Sequence, residues 1–67
     1  MAAHLIEHRN RPGAPREVWA QFLGTKAEAR RSAEGLLAEL REDHPRAMVW
    51  LDGRAVRLPK PRPAGVR

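Results

Sequence analysis

Sixty-seven residues with a net charge of +5 form one small domain at most, and the chain contains no cysteine. A chain of this size buries a modest share of its surface, and disulfides and thiolate metal sites are both excluded, so we expect modest stability or support from a second chain. No stretch is long and apolar enough to cross a membrane, and the first residues lack the basic-then-apolar layout of a signal peptide. These features predict a cytoplasmic protein with no membrane association.

The N-terminal part contains two strand-like segments on either side of a loop. Residues 5–8 predict a short strand, residues 10–15 a loop rich in turn formers, and residues 17–23 a second strand. Side chains alternate between the two faces of a strand. In the second strand one face therefore carries Val18, Ala20 and Phe22, and the other carries Trp19 and Gln21. In an alternative interpretation, residues 1–16 are a mobile arm.

A helix is predicted to begin after Thr25. Thr25 and Glu28 have the spacing of a capping box, in which each side chain accepts a hydrogen bond from the backbone amide of the other residue. The apolar residues that follow recur at the helical period: Ala29, Ala33, Leu36, Leu37 and Leu40. Pro45 ends the helix because proline disfavours helical geometry in the residue before it. Gly35 costs the helix about 1 kcal/mol relative to alanine, and it either allows close approach to a sheet or has no structural role.

The segment after the helix has the strongest hairpin pattern in the chain. Residues 47–51 and 54–58 are strand-like and flank Asp52-Gly53, a dipeptide typical of a two-residue type I′ turn. This turn sets the register, which pairs Leu51 with Arg54, Trp50 with Ala55, Val49 with Val56 and Met48 with Arg57. One face, predicted to be the core side, then carries Val49, Leu51, Val56 and Leu58. The opposite face carries Met48, Trp50, Ala55 and Arg57.

The order strand, strand, helix, strand, strand predicts a small two-layer α+β domain over residues 1–58. One amphipathic helix covers one face of an antiparallel sheet, because this arrangement buries both the helical stripe and one side of each strand. The side chains predicted to pack on the helix are Val18, Phe22, Val49, Leu51, Val56 and Leu58. Residues 59–67 carry prolines at three alternate positions and predict a basic, flexible tail.

The positive charge is concentrated at the C-terminal end, where residues 46–67 carry six basic side chains and one acidic one. The outward sheet face is predicted to carry two tryptophans, which are either exposed or covered by the loop or by a second chain. Exposed aromatic and arginine side chains can stack on bases and pair with phosphates. We therefore expect a non-enzymatic accessory protein that binds nucleic acid or an acidic protein surface. The candidate binding residues are Trp19, Trp50, Arg54, Arg57, Lys60 and Arg62.

An alternative hypothesis is a protein-interaction module, either a homodimer or an inhibitor or adaptor of a larger protein. In that case Trp19 and Trp50 are the interface anchors, because tryptophan and arginine are enriched at protein interfaces.

Catalytic and metal chemistry find little support in the sequence. There is no cysteine or tyrosine, the single serine Ser32 lies within the predicted helix, and Thr25 is used as a cap. The three histidines have no spacing that brings them together on one ion. We expect no catalytic residues, no metal site and no cofactor.

Overall fold

The computed structural model describes residues 2–58, so the predicted tail at residues 59–67 lies outside the described residues. Its elements are β1 (Ala2–Arg9), β2 (Glu17–Gly24), α1 (Lys26–Asp43), β3 (Met48–Leu51) and β4 (Arg54–Ala55). The strands form one antiparallel sheet and the helix packs on one of its faces, so the predicted α+β class and the chain order of elements are confirmed. Within the described part of the chain, no helix has the length and apolar character needed to cross a membrane.

The first strand lies in the interior of the sheet. The spatial order is β2-β1-β3-β4, so β1 pairs with β2 on one side and with β3 on the other. The sequence left open whether residues 1–16 are an arm, and the structure places residues 2–9 in a strand with two neighbours. Because both of those neighbours are antiparallel to β1, β2 and β3 run in the same direction and α1 connects them across β1.

Helix α1 begins as predicted from its capping box. The Glu28 amide donates to the Thr25 hydroxyl at 3.1 Å, and the Thr25 amide donates to the Glu28 carboxylate at 3.1 Å. At the other end the helix stops at Asp43, two residues before Pro45, where the His44 amide donates to the Leu40 carbonyl at 2.8 Å.

The core lies between α1 and the sheet. The helix contributes Ala29, Ala33, Leu36 and Leu37, and the two inner strands contribute Ile6, Val49 and Leu51. Two alanines one turn apart present little side-chain bulk, which lets the helix lie close to the sheet. Gly35 is exposed and nothing lies within 4 Å of the Cβ it lacks, so the interpretation that Gly35 allows this close approach is wrong.

A bulge in β2 changes which of its side chains face the core. Ala20 pairs with Ile6, but the next pair joins Val18 to Glu7, so Trp19 is an extra residue opposite β1. An extra residue shifts the alternation by one position. Val18 therefore shares the outward face with Glu7 and is 61% exposed, which contradicts its predicted packing on the helix. Phe22 lies beyond the bulge and does pack against the core.

The predicted hairpin is confirmed at its turn. Asp52 and Gly53 have positive φ angles of 50° and 84°, as a type I′ turn requires, and Trp50 pairs with Ala55 and Leu51 with Arg54. The last strand is shorter than the predicted residues 54–58, since β4 ends at Ala55. The predicted core residues Val56 and Leu58 nevertheless pack against the core.

We expect Gly35→Ala to stabilise the domain. The position is helical, exposed and free of neighbours, so the methyl group meets no obstacle while the unfolded chain loses conformational freedom. The gain should be about 1 kcal/mol, or a rise in Tm of roughly 4–8 °C for a domain of this size, measured by thermal and urea unfolding.

The matched control is Gly53→Ala, which places the same methyl group on a residue with φ +84°. That substitution should lower the Tm, because alanine disfavours a positive φ. A destabilised Gly35→Ala protein would mean that the exposed position has a structural role after all.

Candidate binding surfaces

Trp50 lies on the outward face of the sheet and is covered by two arginines. The guanidinium carbon of Arg16 is 3.9 Å from the centroid of the indole ring, and that of Arg9 is 5.4 Å away. Both distances fall within the range of cation–π attraction. The side chains shield the ring, and Trp50 is 7% exposed.

Neighbouring strands hold these two arginines in place. Arg16 lies 3.7 Å from the Glu7 carboxylate, and Arg9 donates to the Met48 sulfur at 3.5 Å. The prediction of an exposed Trp50 is therefore wrong, and the alternative of a ring covered by the loop is confirmed, because the loop after β1 returns Arg16 across the ring. Contact of Trp50 with a partner remains a prediction, and it requires these arginines to move aside.

The exposed apolar surface lies on the edge strand β2. Val18 is 61% exposed, Trp19 47% and Leu23 69%, and these are the large hydrophobic residues exposed within residues 2–58. Val18 and Leu23 lie on the outward face according to their pairing with β1. Exposed apolar groups gathered on one element are typical of an interaction surface.

A basic cleft lies at the other edge of the sheet, between the start of α1 and the hairpin β3–β4. Its volume is about 280 Å³, and its charged lining residues are Lys26, Arg30, Arg54 and Arg57. Among residues 2–58 no acidic side chain lines it, although the Arg30 side chain lies 3.4 Å from the carboxylate of the partly buried Glu34 one turn along the helix. The Arg30 side chain is 68% exposed, and an ion pair so open to water is weak, so Arg30 can exchange Glu34 for another anion.

The cleft brings together two of the predicted binding residues and two that sequence reasoning missed. Arg54 and Arg57 were candidates, whereas Lys26 and Arg30 come from the first turns of the helix. Their spacing of four residues places them on one side of α1, but which strand that side faces depends on packing. Trp19 and Trp50 lie elsewhere on the sheet, and the predicted Lys60 and Arg62 lie outside the described residues.

A tie between β1 and the hairpin turn positions the cleft. The Asp52 carboxylate lies 2.7 Å from Nδ1 of His4 and accepts a hydrogen bond from the Leu5 amide at 2.8 Å. The Asp52 amide in turn donates to the Leu5 carbonyl at 2.8 Å. Arg54 follows this turn directly, so the same contacts fix where the strand bearing Arg54 begins.

These contacts also stabilise the charge of Asp52. The hydrogen bond from His4, followed by that from the Leu5 amide, holds the pKa of the Asp52 carboxyl below its usual range. The sequence indicated only a turn-forming role for Asp52, because its partners lie far away in the chain. Among residues 2–58 no group of three or more histidine, aspartate or glutamate side chains is arranged to hold a metal ion.

Comparisons with known proteins add no relative: no family model matches the chain, and neither a curated protein nor a solved structure does.

We expect Asp52→Asn to lower stability near neutral pH and to flatten its acid dependence. Folding lowers the pKa of the Asp52 carboxyl, so its ionised form stabilises the protein at any pH above the pKa that it has in the unfolded chain. This contribution is lost as the pH falls through the lower pKa of the folded protein. The wild-type protein should therefore lose more stability than the variant between about pH 5 and pH 2, measured by urea unfolding.

Asparagine retains the tolerance for positive φ, so the turn itself is preserved in this comparison. Parallel stability curves for the two proteins would mean that the charge of Asp52 is not what ties the hairpin to β1.

Proposed function

We propose that this chain is a non-enzymatic protein that binds nucleic acid, with the phosphate backbone held in the basic cleft. The observation that carries this proposal is the meeting of four cations from two distant parts of the chain, Lys26 and Arg30 with Arg54 and Arg57, around one concave surface. Arginine forks and lysine ammonium groups are the side chains that bind phosphate oxygens.

The electrostatics of the cleft favour a polyanion over a single small acid. Four cations line the cleft, more than a single small acid can neutralise, and the Asp52 carboxylate of the adjoining turn is occupied by His4 and Leu5. A chain of phosphates neutralises several such cations at once and releases counterions, which provides most of the affinity in non-specific nucleic-acid binding.

The sequence that follows Arg57 adds further positive charge to that of the cleft. Lys60 and Arg62 come soon after Arg57 along the chain, and a cationic segment needs no fold to contact phosphates. Stacking on Trp50 has a smaller part in this proposal than the sequence suggested, because Arg9 and Arg16 cover the ring.

A binding role without catalysis is consistent with how the reactive side chains are used. Thr25 caps the helix and Asp52 is tied to His4, so each has a structural partner. Within residues 2–58, Asp52 is the one side chain hydrogen-bonded to the His4 ring, which leaves no hydroxyl for that pair to activate.

Binding to a larger protein as an inhibitor or adaptor is the second candidate. The observation in its favour is the gathering of Val18, Trp19 and Leu23 on one edge strand. Trp50, the other anchor expected from the sequence, lies under arginines on a different strand, so such a contact would depend on β2.

We expect Arg54→Gln to weaken binding of a short fluorescein-labelled DNA duplex and to reduce its salt dependence. Each cation that contacts a phosphate contributes about 0.9 to the slope of log K against log salt concentration, so the slope should fall by about 1. Removing Lys26 and Arg57 as well should lower it by roughly 3 in total. Fluorescence anisotropy over a salt series measures this.

Arg31→Gln is the matched control. Arg31 is an exposed residue of α1, the helix that carries Lys26 and Arg30, but it does not line the cleft. A Lys60→Gln/Arg62→Gln variant separates the contribution of the C-terminal segment. Affinity independent of salt, or an Arg31→Gln effect as large as that of Arg54→Gln, would rule out phosphate binding in the cleft.

A further inference from the structure

The two edges of the sheet differ in how open they are to pairing. Edge strand β4 is two residues long, whereas edge strand β2 has eight residues and, within residues 2–58, pairs only with β1. Proteins usually protect an exposed edge with lysine, proline or a very short strand. Residues 17–24 contain no lysine, arginine or proline, so the protection that β2 has is the bulge at Trp19, which any further pairing must accommodate.

The outward side chains of β2 are symmetric about its middle. Val18, Gln21 and Leu23 pair with Glu7, Leu5 and Ala3 respectively. These three partners on β1 are evenly spaced, so the bulge at Trp19 makes Val18 and Leu23 equally distant from Gln21. A second β2, running antiparallel with Gln21 opposite its own copy, therefore places Val18 opposite Leu23 of that copy, and both are apolar.

The charge along the strand allows this self-pairing. Residues 18–24 carry no charged side chain, so no like charges meet near the centre of the pair. Glu17 lies at the end of β2, and in an antiparallel pair its two copies are about 20 Å apart, beyond the range of unscreened repulsion.

We propose that a second copy of this chain pairs with β2 in antiparallel orientation, about a twofold axis at Gln21. The pairing is isologous, because each copy contributes the same strand, and it joins two four-stranded sheets into one. Both helices lie on the same face of the joined sheet, since residues directly opposite each other in antiparallel strands share a face. The pairing does not use the basic cleft, which lies at the β4 edge, so a failure of pairing and a failure of nucleic-acid binding can be told apart.

Mass measurement by light scattering over a range of protein concentrations tests the pairing. We expect the wild-type protein to reach twice the chain mass of 7.6 kDa. Val18→Lys and Leu23→Glu should each give a monomer, because each places a charge opposite an apolar residue of the second copy. The double variant should dimerise again, because the two new charges are opposite in sign and face each other across the pair.

The controls are chosen so that a loss of folding cannot imitate a loss of pairing. Val18 and Leu23 are exposed, and circular dichroism reports whether each variant keeps the wild-type fold. Ala38→Lys introduces the same charge at an exposed position of α1 and should leave the dimer intact.

A cysteine cross-link tests the register directly, since the chain has no cysteine of its own. In Gln21→Cys the two thiols face each other across the axis, with Cα atoms roughly 4.5–5.5 Å apart, which is within the range of a disulfide. Oxidation should then form the cross-linked dimer about a hundredfold faster than in Ala38→Cys, since facing groups reach millimolar effective concentration.

Two results would overturn the pairing. One is a wild-type protein that remains monomeric up to millimolar concentration, which would leave β2 open to a different protein. The other is a dimer in which Gln21→Cys forms disulfides no faster than Ala38→Cys and the double variant remains monomeric, which would place the contact elsewhere.

Discussion

β1 pairs with β2 on one side and with β3 on the other, and Asp52 fastens it to the hairpin turn through His4 and Leu5. Without β1 the two hairpin strands and β2 would share no neighbour, and α1 would have no continuous surface to cover. Ile6, fully buried in this strand, packs in the core beside Val49 and Leu51. The whole domain thus depends on a contact between residues at opposite ends of the sequence, and such contacts form only after a long loop has closed.

Placing β1 in the centre also determines what lies at the two edges. One edge is left to β4, which is short and adjoins the basic cleft, and the other is left to β2, which is long and exposes Val18 and Leu23. The two edges therefore offer different chemistry to a partner. Charged groups at the first edge suit a polyanion, while apolar groups and unpaired backbone at the second suit another strand.

Local structures that depend on adjacent residues were predictable from the sequence. The positions and registers of strands that depend on pairing with distant strands were not. The capping box of Thr25 and the Asp52-Gly53 turn each depend on a few adjacent residues, and both are present as predicted. The central position of β1 and the bulge at Trp19 arise from contacts between distant strands. The alternation of β2 was read without that bulge, which placed Val18 on the wrong face.

The candidate site divides in the same way. The basic character of the hairpin was evident from Arg54 and Arg57, but the contribution of Lys26 and Arg30 follows from how the helix lies on the sheet. Counting charges could not reveal that Arg9 and Arg16 are engaged over Trp50. In the sequence, an arginine that packs over an aromatic ring cannot be distinguished from an arginine that is free to bind phosphate. The two differ only in which residues, distant in the chain, lie next to them in the fold.

The two proposals have a combined geometric consequence. Pairing through β2 would leave both β4 edges, and the basic clefts beside them, at the far ends of the joined sheet. With strands spaced about 4.8 Å apart, the outermost strands would be separated by about 34 Å. That distance is close to one turn of duplex DNA, about 34–36 Å, so a duplex of more than about one turn is long enough to reach both ends of the joined sheet. Two weak clefts held at that spacing would bind one duplex far more tightly than either does alone, because the second contact becomes intramolecular.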